Sequence, residues 1–176
     1  MAKPTKEMVR KLHNDFAFYA EAALDIRTKD GEVRKLKLNR AQQILHEVVE
    51  RQLRETGRVR VVILKGRQQG LSTYVGGRLY HKTSQNPGLK TFVVSHQAES
   101  TETLFEMTKR YHDNCPKELK PSTKYSSKKE LQFDKLDSAF AVATAGGAGR
   151  GRSDTLQCFH ASEIAFWKPS TAAQNW

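Results

Sequence analysis

Residues Val59-Arg-Val-Val-Ile-Leu64 form a β-branched apolar run, Lys65-Gly-Arg-Gln-Gln-Gly70 a polar turn, and Leu71-Ser-Thr73 the opening of a helix. Strand, loop and helix in that order make a phosphate-binding loop, whose backbone N–H groups cradle an anion at a helix N-terminus. The fit to the standard pattern is partial. With Gly70 and Ser72 on its last Gly and Ser/Thr, Lys65 stands where the first glycine belongs and Leu71 where the lysine belongs. A lysine at the strand end can fold back to the β- and γ-phosphates, with N–H groups from about Gln68 to Ser72 around the anion. An ordinary glycine-containing turn has the same letters, so the loop alone leaves both readings open.

A chain of 176 residues suits one three-layer α/β domain. Thirty Lys and Arg against 19 Asp and Glu give a formal charge of +11, which favours an anionic partner such as nucleic acid and also fits a merely soluble basic protein. No apolar run approaches membrane-spanning length, and the residues after Met1 lead into no apolar signal core, so the expected setting is soluble and intracellular. Two cysteines, Cys115 and Cys158, are too few for a disulfide framework.

From the N-terminus, Met8, Leu12, Phe16, Tyr19, Ala20 and Ala23 predict an amphipathic helix over 7–24, followed by a short exposed strand or arm to Leu38. Residues 1–38 therefore read as an N-terminal helix and extended arm, and 39–176 as the main domain. Asn39 is a good N-cap for a helix from Arg40 to about Glu55, with Gly57 as its stop. Gln42 or Gln43 in its first turn can offer a donor and an acceptor to an adenine edge; a solvated helix face is the other reading. Helices over 72–84 and 100–113 alternate with a buried strand at Thr91–Ser95, the rhythm of a parallel sheet. Residues 117–138, with Lys120, Lys124, Lys128, Lys129 and Lys135, read as a basic β-hairpin insertion. It suits a nucleic-acid backbone as well as it suits a solvated edge. A strand over 140–144 leads into Ala145-Gly-Gly-Ala-Gly-Arg-Gly-Arg-Ser153, a glycine-rich cationic loop. Another buried strand over 156–161 delivers Ser162 and Glu163 at its carboxyl end, where ligands bind in open α/β sheets. A carboxylate there, opposite a phosphate loop, can orient an attacking water or help hold magnesium.

With Lys65-Gly-Arg-Gln-Gln-Gly-Leu-Ser-Thr73, Val93-Val-Ser-His96, Gly149-Arg-Gly-Arg152 and His160-Ala-Ser-Glu-Ile-Ala-Phe-Trp167 in hand, the chain resembles the N-terminal ATPase part of the large terminase subunit of tailed bacteriophages over about residues 36–168. The resemblance implies an additional-strand P-loop NTPase fold, helicase- or RecA-like, with a mainly parallel central sheet. It implies ATP hydrolysis with Mg2+, coupled to moving double-stranded DNA into a procapsid in the host cytoplasm. The implied partners are DNA, the portal protein, the small terminase subunit and further copies of the chain in a ring.

By the same resemblance Lys65 stands in for the displaced loop lysine, and Gly66, Arg67, Gln68, Gln69, Gly70, Leu71, Ser72 and Thr73 enclose the nucleotide phosphates. Ser72 supplies the magnesium-binding hydroxyl and Glu163 the catalytic carboxylate, also near the metal. Gln42 reads adenine, and Arg152 or Arg150 completes a neighbouring subunit's site. Ser162 departs from the pattern, standing where many relatives have Asp. The nuclease domain of longer family members is not among these residues, and the chain is expected to be a fragment. A helicase-like DNA translocase and a non-hydrolytic, nucleotide-sensing DNA-binding module are the alternatives.

Overall fold

The computed structural model describes residues 5–146 and 155–167. They form a mixed α/β unit built on a five-stranded sheet of order β4-β5-β6-β3-β7. Its strands are β3 (Lys90–Ser95), β4 (Thr123–Ser126), β5 (Glu130–Phe133), β6 (Ser138–Thr144) and β7 (Cys158–Ala161). β3 pairs in parallel with β6 on one side, Val93 opposite Val142, and with β7 on the other, Val93 opposite His160. These are the parallel pairings expected at the centre. β4 and β5 form the basic hairpin, but β5 pairs antiparallel with β6, Leu131 opposite Phe140, so the hairpin extends the main sheet and is not an insertion standing apart from it. Lys124, Lys128, Lys129 and Lys135 are exposed on it.

Helices α4 (Leu71–Gln85) and α5 (Ala98–Asp113) pack on β3, β6 and each other. Phe140, Val142, Leu131, Phe133 and Val93 meet Tyr74, Tyr80 and Tyr111 in one continuous core. The glycine pair in α4 allows the close packing its helix propensity opposes: a Cβ on Gly77 would stand 2.9 Å from Leu24 Cδ1. The N-terminal segment is two helices instead of one, α1 (Lys6–Asn14) and α2 (Phe16–Ala23). The break falls at Asp15, whose extended backbone lets its carboxylate accept from Phe18 N and cap α2. Phe16, Tyr19, Ala20, Ala23 and Leu24 are buried in the common core, and a small hairpin, β1 (Asp25–Arg27) with β2 (Val33–Lys35), leads to buried Leu36 and Leu38. Helix α3 (Arg40–Thr56) begins and ends as its sequence predicts. Asn39 and Gln42 form a capping box, and Gly57 closes the helix in the left-handed region at φ 68°.

One predicted element is absent. Val59–Leu64 adopts no strand and has no ladder partner among the described residues, and Val62 and Leu64 are 99% and 101% exposed. β-Branched composition favours an extended chain, but a strand exists only where a neighbour takes up its N–H and C=O groups. Here a side chain stands in for one: the Gln52 amide accepts from Arg60 N at 2.6 Å and donates to Arg60 O at 3.2 Å.

Candidate functional site

The turn after this run is held open by backbone geometry and by α3. Gln68 has φ 62° and Gly70 φ 73°, both in the left-handed region, and left-handed residues of this kind occur in the backbone turns that form anion-binding nests. Gly70 is the N-cap of α4 and brings no side-chain cap, which leaves the first-turn N–H groups of α4 to an outside acceptor. Glycine is required there twice over. Besides the positive φ, a Cβ on Gly70 would meet Gln42 Nε2 at 2.9 Å.

Gln42, 3% exposed, is a brace for this loop. Its Nε2 donates to Gly70 O at 2.7 Å, and its Oε1 accepts from Asn39 N at 2.9 Å. Asn39 in turn donates from Nδ2 to Gln69 O at 3.2 Å. Capping α3 and shaping the turn are thus done by the same two side chains, and the Gln42 amide faces the protein's own backbone. Gln43 donates to Leu38 O at 3.2 Å. From the β1–β2 turn, Lys29 Nζ reaches Gln68 Oε1 at 2.8 Å, adding a cation beside the loop.

Leu71 lies buried in the core, which gives a physical reason for a lysine displaced from that position. Lys65, Gly66, Arg67, Gln68 and Gln69 are exposed, and Ser72 and Thr73 are half-buried in the first turn of α4. The Lys65 ammonium is close enough to β7 to be felt there: His160 is pushed below the ordinary histidine value by burial first and by Lys65 second. The charge of Lys65 thus bears on β7, the strand that leads to Glu163.

At that strand end Ser162 N donates to Val94 O at 2.8 Å, the last bond tying β7 to β3. Glu163 follows directly in the left-handed region at φ 54°, an uncommon conformation for a residue with a Cβ, and caps the single 3-10 turn Ile164–Phe166. Its side chain is 39% exposed, and its Oε2 lies 2.9 Å from His96 Nδ1, at an angle outside that of a regular hydrogen bond. His96 follows the last residue of β3, and its ring packs against Phe166 at 5.6 Å between centroids. Trp167 Nε1 donates back to Ser162 O at 3.0 Å, closing the turn.

The predicted site residues thus fall into two clusters, the loop with Gln42 and the β7 end with Glu163. Arg150 and Arg152 lie outside the described residues. Three further side chains, Asn39, Lys29 and His96, touch these clusters without having been assigned a part in them. Their partners are 30, 39 and 67 positions away in the chain, beyond the reach of any local pattern. No family model matches the chain, and no curated protein matches it.

Proposed function

We propose that the chain is a P-loop ATPase domain of the additional-strand kind, the motor part of a large terminase subunit that drives double-stranded DNA into a procapsid. The observation carrying this reading is an uncapped α4 N-terminus behind a nest-like turn, with Lys65 near enough to His160 of β7, the strand that leads to Glu163, for its charge to be felt there. An anion-binding backbone next to a lysine suits the β- and γ-phosphates of ATP, and a carboxylate across from them suits a water in line with the γ-phosphorus.

In this mechanism the loop N–H groups and Lys65 bind and orient the triphosphate. Glu163 positions the attacking water and takes up its proton. The half-buried Ser72 hydroxyl and the Glu163 carboxylate are hard oxygen donors of the type Mg2+ accepts, and such an ion is ordinarily held by one or two protein oxygens together with substrate phosphates. When bound it would neutralise charge developing on the phosphates. Gln42 takes part by fixing the loop through Gly70; contact with adenine would use the capacity its two bonds leave over. The exposed lysines of the β4–β5 hairpin fit a phosphate backbone. Arg152, or Arg150, is assigned to a neighbouring copy's site by the terminase resemblance, as are the portal protein, the small subunit and the ring.

Nucleotide binding and steady-state ATP turnover test this reading. Lys65→Ala is expected to abolish binding or turnover with the fold intact. Glu163→Gln is expected to bind ATP and lose about 10²–10⁴-fold in turnover, the usual worth of a positioned base. Wild-type turnover in both variants would overturn the assignment.

A further inference from the structure

We infer that His96 is a positioning residue for Glu163, holding the carboxylate at the angle from which it acts on water. This rests on the ATPase reading above. A carboxylate on a residue following the last ladder bond of an edge strand has little to fix its direction, and Glu163 is besides more than a third exposed. His96 Nδ1 supplies what β7 lacks, a polar nitrogen 2.9 Å from Oε2, which a small turn of the ring or carboxylate would bring into hydrogen-bond line.

The ring is itself fixed from two sides. Its backbone continues β3, which is paired on both edges, and its face rests on Phe166, three residues beyond Glu163. Phe166 N donates to Glu163 O at 3.0 Å, so histidine, aromatic ring and carboxylate are joined through one turn of chain. The left-handed backbone of Glu163 points the same way. Such a conformation is strained for a residue with a Cβ and persists where surrounding contacts determine it. Losing a positioning contact of this kind misplaces a reacting group by a fraction of an ångström to an ångström, which lowers rate and leaves substrate affinity alone.

Two measurements on the same chain test the inference. Long-range 1H–15N spectra of the imidazoles report which ring nitrogen of His96 carries hydrogen. Nδ1–H is expected in the wild type and is expected to redistribute in Glu163→Ala; an unchanged Nε2–H tautomer in both would overturn the contact. In ATP turnover, His96→Ala is expected to lower kcat roughly 10- to 100-fold with KM within about twofold of wild type. His96→Asn, whose amide can place a donor close to that of Nδ1, is expected to recover most of the loss, which a merely structural role would not produce. If Lys65→Ala and Glu163→Gln are inactive while His96→Ala turns over normally, the ATPase reading stands and the role of His96 falls. If the wild type shows no ATP turnover, or Lys65→Ala and Glu163→Gln turn over like it, the ATPase reading falls and takes the role of His96 with it.

Discussion

Thr91–Ser95 and Val59–Leu64 are runs of similar character, each rich in valine, each flanked by polar sequence, and they end in opposite conditions. Every residue from Thr91 to Ser95 is buried, with β6 bonded on one side and β7 on the other. Val59–Leu64 lies in water with one glutamine amide to stand in for a neighbour. The difference is not propensity. It is whether a second chain segment comes within about 4.8 Å to complete the backbone hydrogen bonds and cover the side chains. The glycine-bearing turn that follows the unsupported run takes its shape instead from α3, through Asn39 and Gln42. The Glu163 carboxylate follows an edge strand, which is tied to β3 by Ser162 N and Val94 O, and it lies 2.9 Å from His96 Nδ1.

The sharpest way to break this comparison is a deletion in the supported half. Phe140→Ala removes a ring, 1% exposed, from the core that also holds the α4 and α5 tyrosines and is expected to cost about 3–5 kcal/mol in chemical denaturation. A loss below 1 kcal/mol would mean that β6 is no more anchored than the exposed run.

The same half carries a pH dependence. His81 and His112 are both lowered to about 4 by burial, His81 donating from Nε2 to Leu12 O and His112 bonded to the Tyr80 hydroxyl. Their folded pKa lies below the unfolded value of about 6.5, so between about pH 4 and 6.5 the unfolded chain binds more protons than the native one. Stability is therefore present above pH 6.5 and falls on acidification, by up to about 1.4 kcal/mol per pH unit for each histidine. Urea midpoints from pH 7 to 4.5 check this, and His81→Gln, which keeps a donor for Leu12 O, is expected to flatten the slope.

In the loop the decisive position is Gly70. Gly70→Ala places a Cβ in a left-handed conformation and against Gln42 Nε2, with an expected loss of about 1–2 kcal/mol and a larger loss of ATP affinity. Unchanged affinity would show that the brace from α3 does not set the shape of the turn. The smallest effect is expected in the unsupported run itself. Val62→Ser should change stability by less than about 0.5 kcal/mol, because its side chain touches little. A loss above 2 kcal/mol would show the run to be covered in solution and would end the comparison.

Much of the fold was legible in local sequence. Asn39 and Gly57 bound α3 because capping and left-handed closure are decided within a few residues of the helix end. The apolar spacing runs on across Asp15 and hides the break there, which its extended backbone makes between α1 and α2. The basic hairpin was recognised as a hairpin, but its place at the edge of the main sheet depends on Leu131 meeting Phe140, a pairing no local pattern contains. Of the candidate site, Lys65, Gly70, Ser72 and Glu163 stand out by motif. His96 closes the Val93-Val-Ser-His96 run, but that run gives it no role, and its nearness to a carboxylate 67 residues later is visible only in the fold.

What the sequence by itself determined about this protein is the set of segments that form helices and turns, the glycine that permits the loop and the residue types gathered near it, because capping, φ preference and side-chain chemistry act over a few residues. What only the tertiary structure decided is which of two valine-rich runs became a strand and where Gln42, Lys29 and His96 direct their polar atoms. Those outcomes depend on hydrogen-bond partners and packing surfaces brought together from distant parts of the chain.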